Sequence, residues 1–413
     1  MKNLMMLVSL CSAYSLFAAA PTATITDFRR SGKNVVITYN LSADAVVTAD
    51  ILSNGSSIGV QYLSNMSGDV NRAVKGGTGK KIIWPFKESG VPKVKLEAAQ
   101  AKVTAWALDS TPDYCVIDLS TKSNVNYYVS AEAVPHGVTN DIYKTTKLVM
   151  RRVHAKGVQF RMGTAGNMSY RASDEIPHRV TFTNDYYLGI YPFTQKQAKL
   201  CWPNHSTDYR PTPTDRVDSD MRPSNNFGNY GIIRGDRTLS PASHATSKDA
   251  VNGFFRRCTD MTGVLVDLPT EQQWEFACRA GDDVSYFEND IAENIGKYAW
   301  YSGNVPDQYP QAVGQKEPNA WGFYDMLGNV LEACLDYYYT GNNYSNGSDV
   351  LESSGYISGY ETNWQPRVFR GGSYESLAAN VRYAARAQYY ENGTEPQHGY
   401  RLWAPVQAYV KEN

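Results

Sequence analysis

The sequence predicts an α+β protein in two parts: an antiparallel β-sandwich, then a larger mixed region with much irregular structure. Three observations carry that reading. From Thr22 to about Asp109, short alternating stretches are separated by turn residues at close intervals. From Arg151 onward Gly, Asn, Asp and Tyr dominate and apolar runs shorten. Within that second texture one segment, Thr270 to Gly281, carries both the start and the stop signal of a helix.

Residues 1–20 read as a cleavable export signal. Lys2 supplies the positive charge, Leu4 to Phe17 is mostly apolar, and Ala18-Ala19-Ala20 offers a small-residue cleavage site. Ser9, Ser12 and Ser15 interrupt a run already too short to cross a bilayer. Leu10 is too bulky for the small residue that lipid attachment at Cys11 would need. The expectation is a secreted or periplasmic protein without an integral membrane span.

Residues 21–110 follow as the sandwich, of immunoglobulin or fibronectin type. Val35, Ile37 and Tyr39 alternate with Val36, Thr38 and Asn40, and a second strand runs from Val46 to Leu52. Turns fall at Asn54-Gly55, Ser67-Gly68, Gly76-Gly77 and Ser89-Gly90, and Val103 to Leu108 closes the unit. Nothing chemical clusters here, which suits a spacer or a binding module. Residues 111–150, with Pro112, Pro135 and Gly137, read as a mixed connector.

The remainder, 151–408, holds the helix signals. Thr270 caps the clear helix, Gln273 is its reciprocal partner, and Gly281 ends it. Trp274, Ala277 and Cys278 share one face, predicted to point into the core. A second helix, Ser247 to Met261, is predicted from Val251, Phe254, Phe255 and Cys258.

A formal net charge of -1 excludes the basic surplus of a nucleic-acid binder. Thirty tyrosines and few leucine-rich repeats favour strands and ordered loops over a bundle. Past the leader stand Cys115, Cys201, Cys258, Cys278 and Cys334. That odd number leaves at least one thiol unpaired, or paired between chains, in an oxidising compartment.

Four blocks then occur in a recognisable order. The first is Gln159-Phe160-Arg161-Met162-Gly163, with Pro177-His178-Arg179-Val180 and Tyr187-Leu188-Gly189. The second is Leu268 to Gly281, and the third runs from Val313-Gly314 through Pro318-Asn319-Ala320-Trp321-Gly322 to Asp325-Met326-Leu327-Gly328-Asn329-Val330. The last is Arg370-Gly371-Gly372-Ser373-Tyr374, ending in Gly399-Tyr400-Arg401-Leu402. Residues 155 to 405 thereby resemble the formylglycine-generating enzyme (sulfatase-modifying factor) family. The resemblance implies a C-type-lectin-like fold; function must be argued from the site.

The family's oxidases hold Cu(I) between two cysteines just after the Arg-Gly-Gly-Ser motif. Here Ser376 falls at the first cysteine position and Val381 near the second, so Ser373 and Ser376 are degenerate catalytic positions. A hydroxyl is a hard, weak donor and valine offers none, so copper binding is not expected. The oxidases also pair the cysteine at the Cys278 position with one near Tyr383, and that partner is absent. Cys278 and Cys334 are then core residues or one disulfide.

The resemblance further implies structural calcium, held by the Asp325 and Glu332 side chains and the Gly328 and Val330 carbonyls. The alternative is that Asp325 caps the turn while Glu332 pairs with an arginine. Finally, Tyr337 to Gly347 and Tyr389 to Gly393 interleave Tyr, Asn, Ser and Gly, a mix suited to binding loops. Tyr389, Tyr390 and Asn392 are the candidate contacts for a protein or glycan ligand. The competing function is the family's oxidation of a Cys-x-Pro-x-Arg motif, with a sulfatase as partner.

Overall fold

The structure is a computed structural model. It describes residues 19–92, 98–122, 124–164, 171–203, 218–225, 253–281, 291–338, 350–351, 366–389 and 395–408. The export-signal call, apart from Ala19 and Ala20, lies outside these residues. So do the start of the second predicted helix, the Tyr339 to Gly347 loop, Tyr390 and Asn392.

The first part is built as the alternation predicts. Strands β1 (Ala23–Ser31), β2 (Asn34–Leu41), β3 (Ala45–Ser53), β4 (Ser56–Ser57), β5 (Ser67–Gly68), β6 (Arg72–Val74), β7 (Gly77–Trp84) and β8 (Gln100–Trp106) make two antiparallel sheets. One runs β1-β2-β7-β5; the other runs β4-β3-β6, with β8 also on β3. Ile37, Tyr39, Val47, Ile51, Ile82 and Trp84 are all 0% exposed in the core they share. Its two polar tips are satisfied: Tyr39 Oη donates to the Asp69 carbonyl at 2.7 Å and Trp84 Nε1 to the Tyr62 carbonyl at 2.8 Å.

The stretch predicted as a connector holds two strands and the start of a third. β9 (Tyr114–Asp118) and β10 (Asn124–Tyr128) join β11 (Lys147–Val153) in a sheet completed by β14 (Tyr186–Gly189) and β20 (Trp403–Pro405). Such five-residue segments carry weak local signals because their sheet is closed by partners far along the chain. Alternation puts Tyr114 and Val116 into one core and Cys115 and Ile117 into another, so this sheet separates two apolar clusters. Val46 of β3 enters the second cluster and ties the two parts together.

The other strands are β12 (Gln159–Met162), β13 (His178–Thr181), β15 (Leu331–Tyr337), β16 (Val350–Leu351), β17 (Arg367–Arg370), β18 (Arg386–Tyr389) and β19 (His398–Gly399). They form the sheets β12-β13-β16 and β18-β17-β15-β19. Helices are short: α1 (Gln195–Cys201), α2 (Phe254–Thr262), α3 (Glu271–Cys278) and α4 (Ile291–Tyr298). α3 begins with the predicted capping box of Thr270 and Gln273, and Gly281 closes it, its N–H donating to the Phe276 carbonyl at 3.1 Å. Trp274, Ala277 and Cys278 enter the core as expected, and the rest of α3 is buried too, because Arg370 meets its glutamates. No helix among the described residues is long and apolar enough to cross a membrane.

Candidate functional site

A carboxylate on a fully buried helix needs a cation, and β17, β18 and the residue after α3 supply three. Arg370, 0% exposed, pairs with Glu275 and lies 3.3 Å from Glu271. Arg386 Nε holds Glu271 at 2.6 Å, and Arg279 Nη2 holds Glu275 at 2.7 Å. Burial alone would raise the Glu275 carboxyl, yet Arg279, Arg370 and the Gly163 N–H keep it below the usual carboxylate range. Arg382 pairs with Glu175 in the same way. Glu271 and Glu275, one turn apart on a capped helix, were the signal for this network; their arginine partners could not be assigned from spacing.

The network fixes the turn that follows Arg370. Gly371 has φ +88, and a Cβ there would lie 2.7 Å from the Met326 carbonyl oxygen and 3.1 Å from the Trp274 ring. A Cβ on Gly372 would meet Val381 Cγ2 at 2.9 Å. Ser376 belongs to this turn, while Val381 follows the short 3-10 helix Ala378–Asn380. Ser376 Oγ accepts from the Ser373 N–H at 3.0 Å and lies 3.2 Å from Ser373 Oγ. Ser373 Oγ also accepts from the Glu375 N–H at 3.2 Å. Val381 is 1% exposed and packs on Gly372. Among the described residues neither serine hydroxyl is hydrogen-bonded to a His, Asp or Glu side chain. The turn is tied to itself rather than primed as a nucleophile.

Of the predicted calcium ligands, the Asp325 and Glu332 carboxylates are near enough to act on each other. Asp325 Oδ2 accepts from the Gly314 N–H at 2.6 Å, with Asn329 Nδ2 3.4 Å from Oδ1. Burial raises the Asp325 carboxyl to about 6, against the Gly314 hydrogen bond and Arg401. Glu332 accepts from Arg401 Nε and Nη2 at 2.5 and 2.6 Å and from Trp274 Nε1 at 2.7 Å. Glu332 is committed to Arg401 and Trp274, whereas Asp325 Oδ1 has only the long Asn329 contact. Glu332 is thus paired with an arginine, as one reading of the sequence has it.

Tyr389, from the predicted ligand face, packs edge-on against Phe369 and His398 with centroids 5.4 and 3.9 Å away. Its Oη accepts from Gln397 Nε2 at 3.2 Å. Of the other residues singled out, His178 is buried with Nδ1 2.8 Å from the Ile176 carbonyl oxygen. Cys278 and Cys334 are buried core thiols, directed at the Met326 and Glu332 carbonyls respectively.

Sequence reading missed a cleft where the two parts meet. It has a volume of about 290 Å³, and Trp106, Tyr128 and Met66 line it beside Asp50 and Lys102. Asp50 and Lys102 face each other across β3 and β8. Trp106 Nε1 donates to Thr48 Oγ1 at 2.8 Å, which holds the indole at the cleft wall. An aromatic wall with a charged rim suits a ligand that is partly apolar and partly polar.

Comparison with known proteins adds the following. The family model of the sulfatase-modifying factor enzyme 1-like domain matches residues 142–405, more than half of the chain. Serine/threonine-protein kinase pkn1 of Chlamydia pneumoniae is 31% identical over 286 residues, 67% of this chain and 40% of that protein. Formylglycine-generating enzyme of Mus musculus is 28% identical over 182 residues, 41% of this chain and 45% of that one. The chain spans less than half the length of either relative. Treponema denticola variable protein 1 superposes with a TM-score of 0.49 at 21% identity, covering 63% of this chain and 96% of that one.

Proposed function

Since the chain belongs to the sulfatase-modifying factor enzyme 1-like domain family, we propose that it is an extracytoplasmic, non-oxidase member that binds a protein or a glycan. The observation that carries this reading is the Ser373–Ser376 turn. Its two hydroxyls satisfy each other and the local backbone, and Val381 fills the space beside Gly372. Nothing soft remains there to hold Cu(I). The competing function, oxidation of the cysteine in a sulfatase Cys-x-Pro-x-Arg motif, needs the thiolates this turn lacks. The junction cleft supports a binding role, since the Trp106 and Tyr128 rings beside Asp50 and Lys102 offer stacking and hydrogen bonding to a sugar ring or a side chain.

Elemental mass spectrometry of the purified protein after exposure to Cu(I) tests the reading. The expected result is no copper above a buffer control; copper retained at about one ion per chain would return the oxidase to first place. In parallel, a glycan and protein array probed with the wild type and with Trp106→Ala should give capture that weakens in the variant. Capture unaltered by that change would remove the cleft from the proposal.

A further inference from the structure

Two cysteines outside the family's catalytic positions come together in the fold. Cys201 is the last residue of α1 and Cys258 lies in the middle of α2. The two helices pack against each other, and both side chains enter one apolar cluster with Phe193, Phe254 and Tyr400. Burial, and after it the neighbouring Cys201, raise the Cys258 thiol. Cys278 and Cys334, in contrast, are aimed at separate backbone carbonyls. Cys115 lies in the sheet strand β9 and its thiol is pushed up by burial alone.

We propose that Cys201 and Cys258 are a disulfide site, closed during folding by a disulfide-class oxidant, that fastens α1 to α2. The inference is independent of what the protein binds. In chemical terms, one thiolate attacks the oxidant's disulfide and releases one reduced thiol. The second thiolate then attacks the mixed disulfide, forming the Sγ–Sγ bond and releasing the other half. Two electrons and two protons leave the pair for the oxidant, which ends as two thiols.

Burial sets the timing. Cys201 is 8% and Cys258 1% exposed, and apolar surroundings push the Cys258 thiol well above its ordinary value. The thiolate is the nucleophile, so the folded, reduced protein reacts slowly. The same packing shields the bond once made. The cross-link spans a long stretch of sequence, so it removes many conformations from the unfolded chain and should raise the melting temperature by several degrees.

The test is to refold the full chain in a glutathione–glutathione disulfide mixture, block remaining thiols with iodoacetamide and digest without reductant. The expected product is a peptide pair joining Cys201 to Cys258, with a melting temperature that falls by several degrees when reductant is added. Cys201→Ser, at a helix end and less buried, should fold, lack that peptide pair and lose the reductant effect. Alkylation of both cysteines, or either one joined to a different cysteine, would overturn the proposal. A second measurement exposes protein folded in reductant to the same oxidant. Closure should be at least tenfold slower than during refolding, and equal rates would refute folding-time closure.

Discussion

Arg401 meets Glu332 edge to edge, with Nε and Nη2 at 2.5 and 2.6 Å from the two carboxylate oxygens, and neither residue is more than 1% exposed. The same guanidinium donates to the Gly189 and Tyr324 carbonyls at 3.0 and 2.9 Å, while Trp274 donates to Glu332. One ion pair thus joins residues from all four sequence blocks. Removing one charge strands the other in an apolar core, so Glu332→Gln should cost about 3–5 kcal/mol of stability. Urea unfolding of the two proteins measures it, and a loss below about 1 kcal/mol would contradict the described pairing.

The same commitment of Glu332 bears on calcium. Since Arg401 and Trp274 occupy its oxygens, millimolar calcium should leave the melting temperature of the wild type where it is with chelator present. A rise that Asp325→Asn abolishes would mean that calcium displaces Arg401 at this turn.

Acid should weaken the fold partly through one histidine. His398 is buried between Phe369 and Tyr389, and burial lowers its pKa from the ordinary 6.5 to about 3. With the folded value depressed, the unfolded chain takes up the proton first. The stabilisation is complete above pH 6.5 and is lost as pH falls toward 3. Between pH 7 and 4.5 the loss from this group is about 3 kcal/mol. His398→Phe should remove that share of the pH dependence, read from urea midpoints at the two values.

Asp325 works in the opposite direction. Its carboxyl is raised to about 6, so its contribution is full below pH 3.8 and disappears as pH rises through 6. Asp325→Asn should therefore leave the fold losing more stability than the wild type as pH falls from 7 to 4. An unchanged difference would mean that Asp325 titrates normally.

Gly328 is the backbone position with least freedom in this turn. Its φ is +73, and a Cβ would come within 2.1 Å of the Trp300 carbonyl oxygen. Gly328→Ala should cost about 3 kcal/mol or more, since both the dihedral and the contact are adverse. Circular dichroism during thermal unfolding would register it as a clear drop in melting temperature.

Local chemistry was enough for several elements. Thr270, Gln273 and Gly281 mark α3 because capping involves residues only a few positions apart. The alternation of Val35, Ile37 and Tyr39 marks β2 for the same reason, and the family resemblance sets Ser376 and Val381 against the expected thiolates. The capping box of Thr194 and Gln197 on α1 is equally local.

What the sequence by itself determined is therefore the set of short-range facts: strand periodicity, helix caps, glycine turns and the replacement of soft ligands by hydroxyl and methyl groups. Tertiary structure alone decided the rest. It placed β9 and β10 in a sheet with β14 and β20, and gave Glu332 to Arg401, 69 positions away. It also packed α1 on α2 with Cys201 and Cys258 in one apolar cluster, and opened the cleft at Trp106. The physical reason is that burial and charge pairing depend on which distant segments pack together, and a buried carboxylate keeps its charge only through the partner that packing delivers.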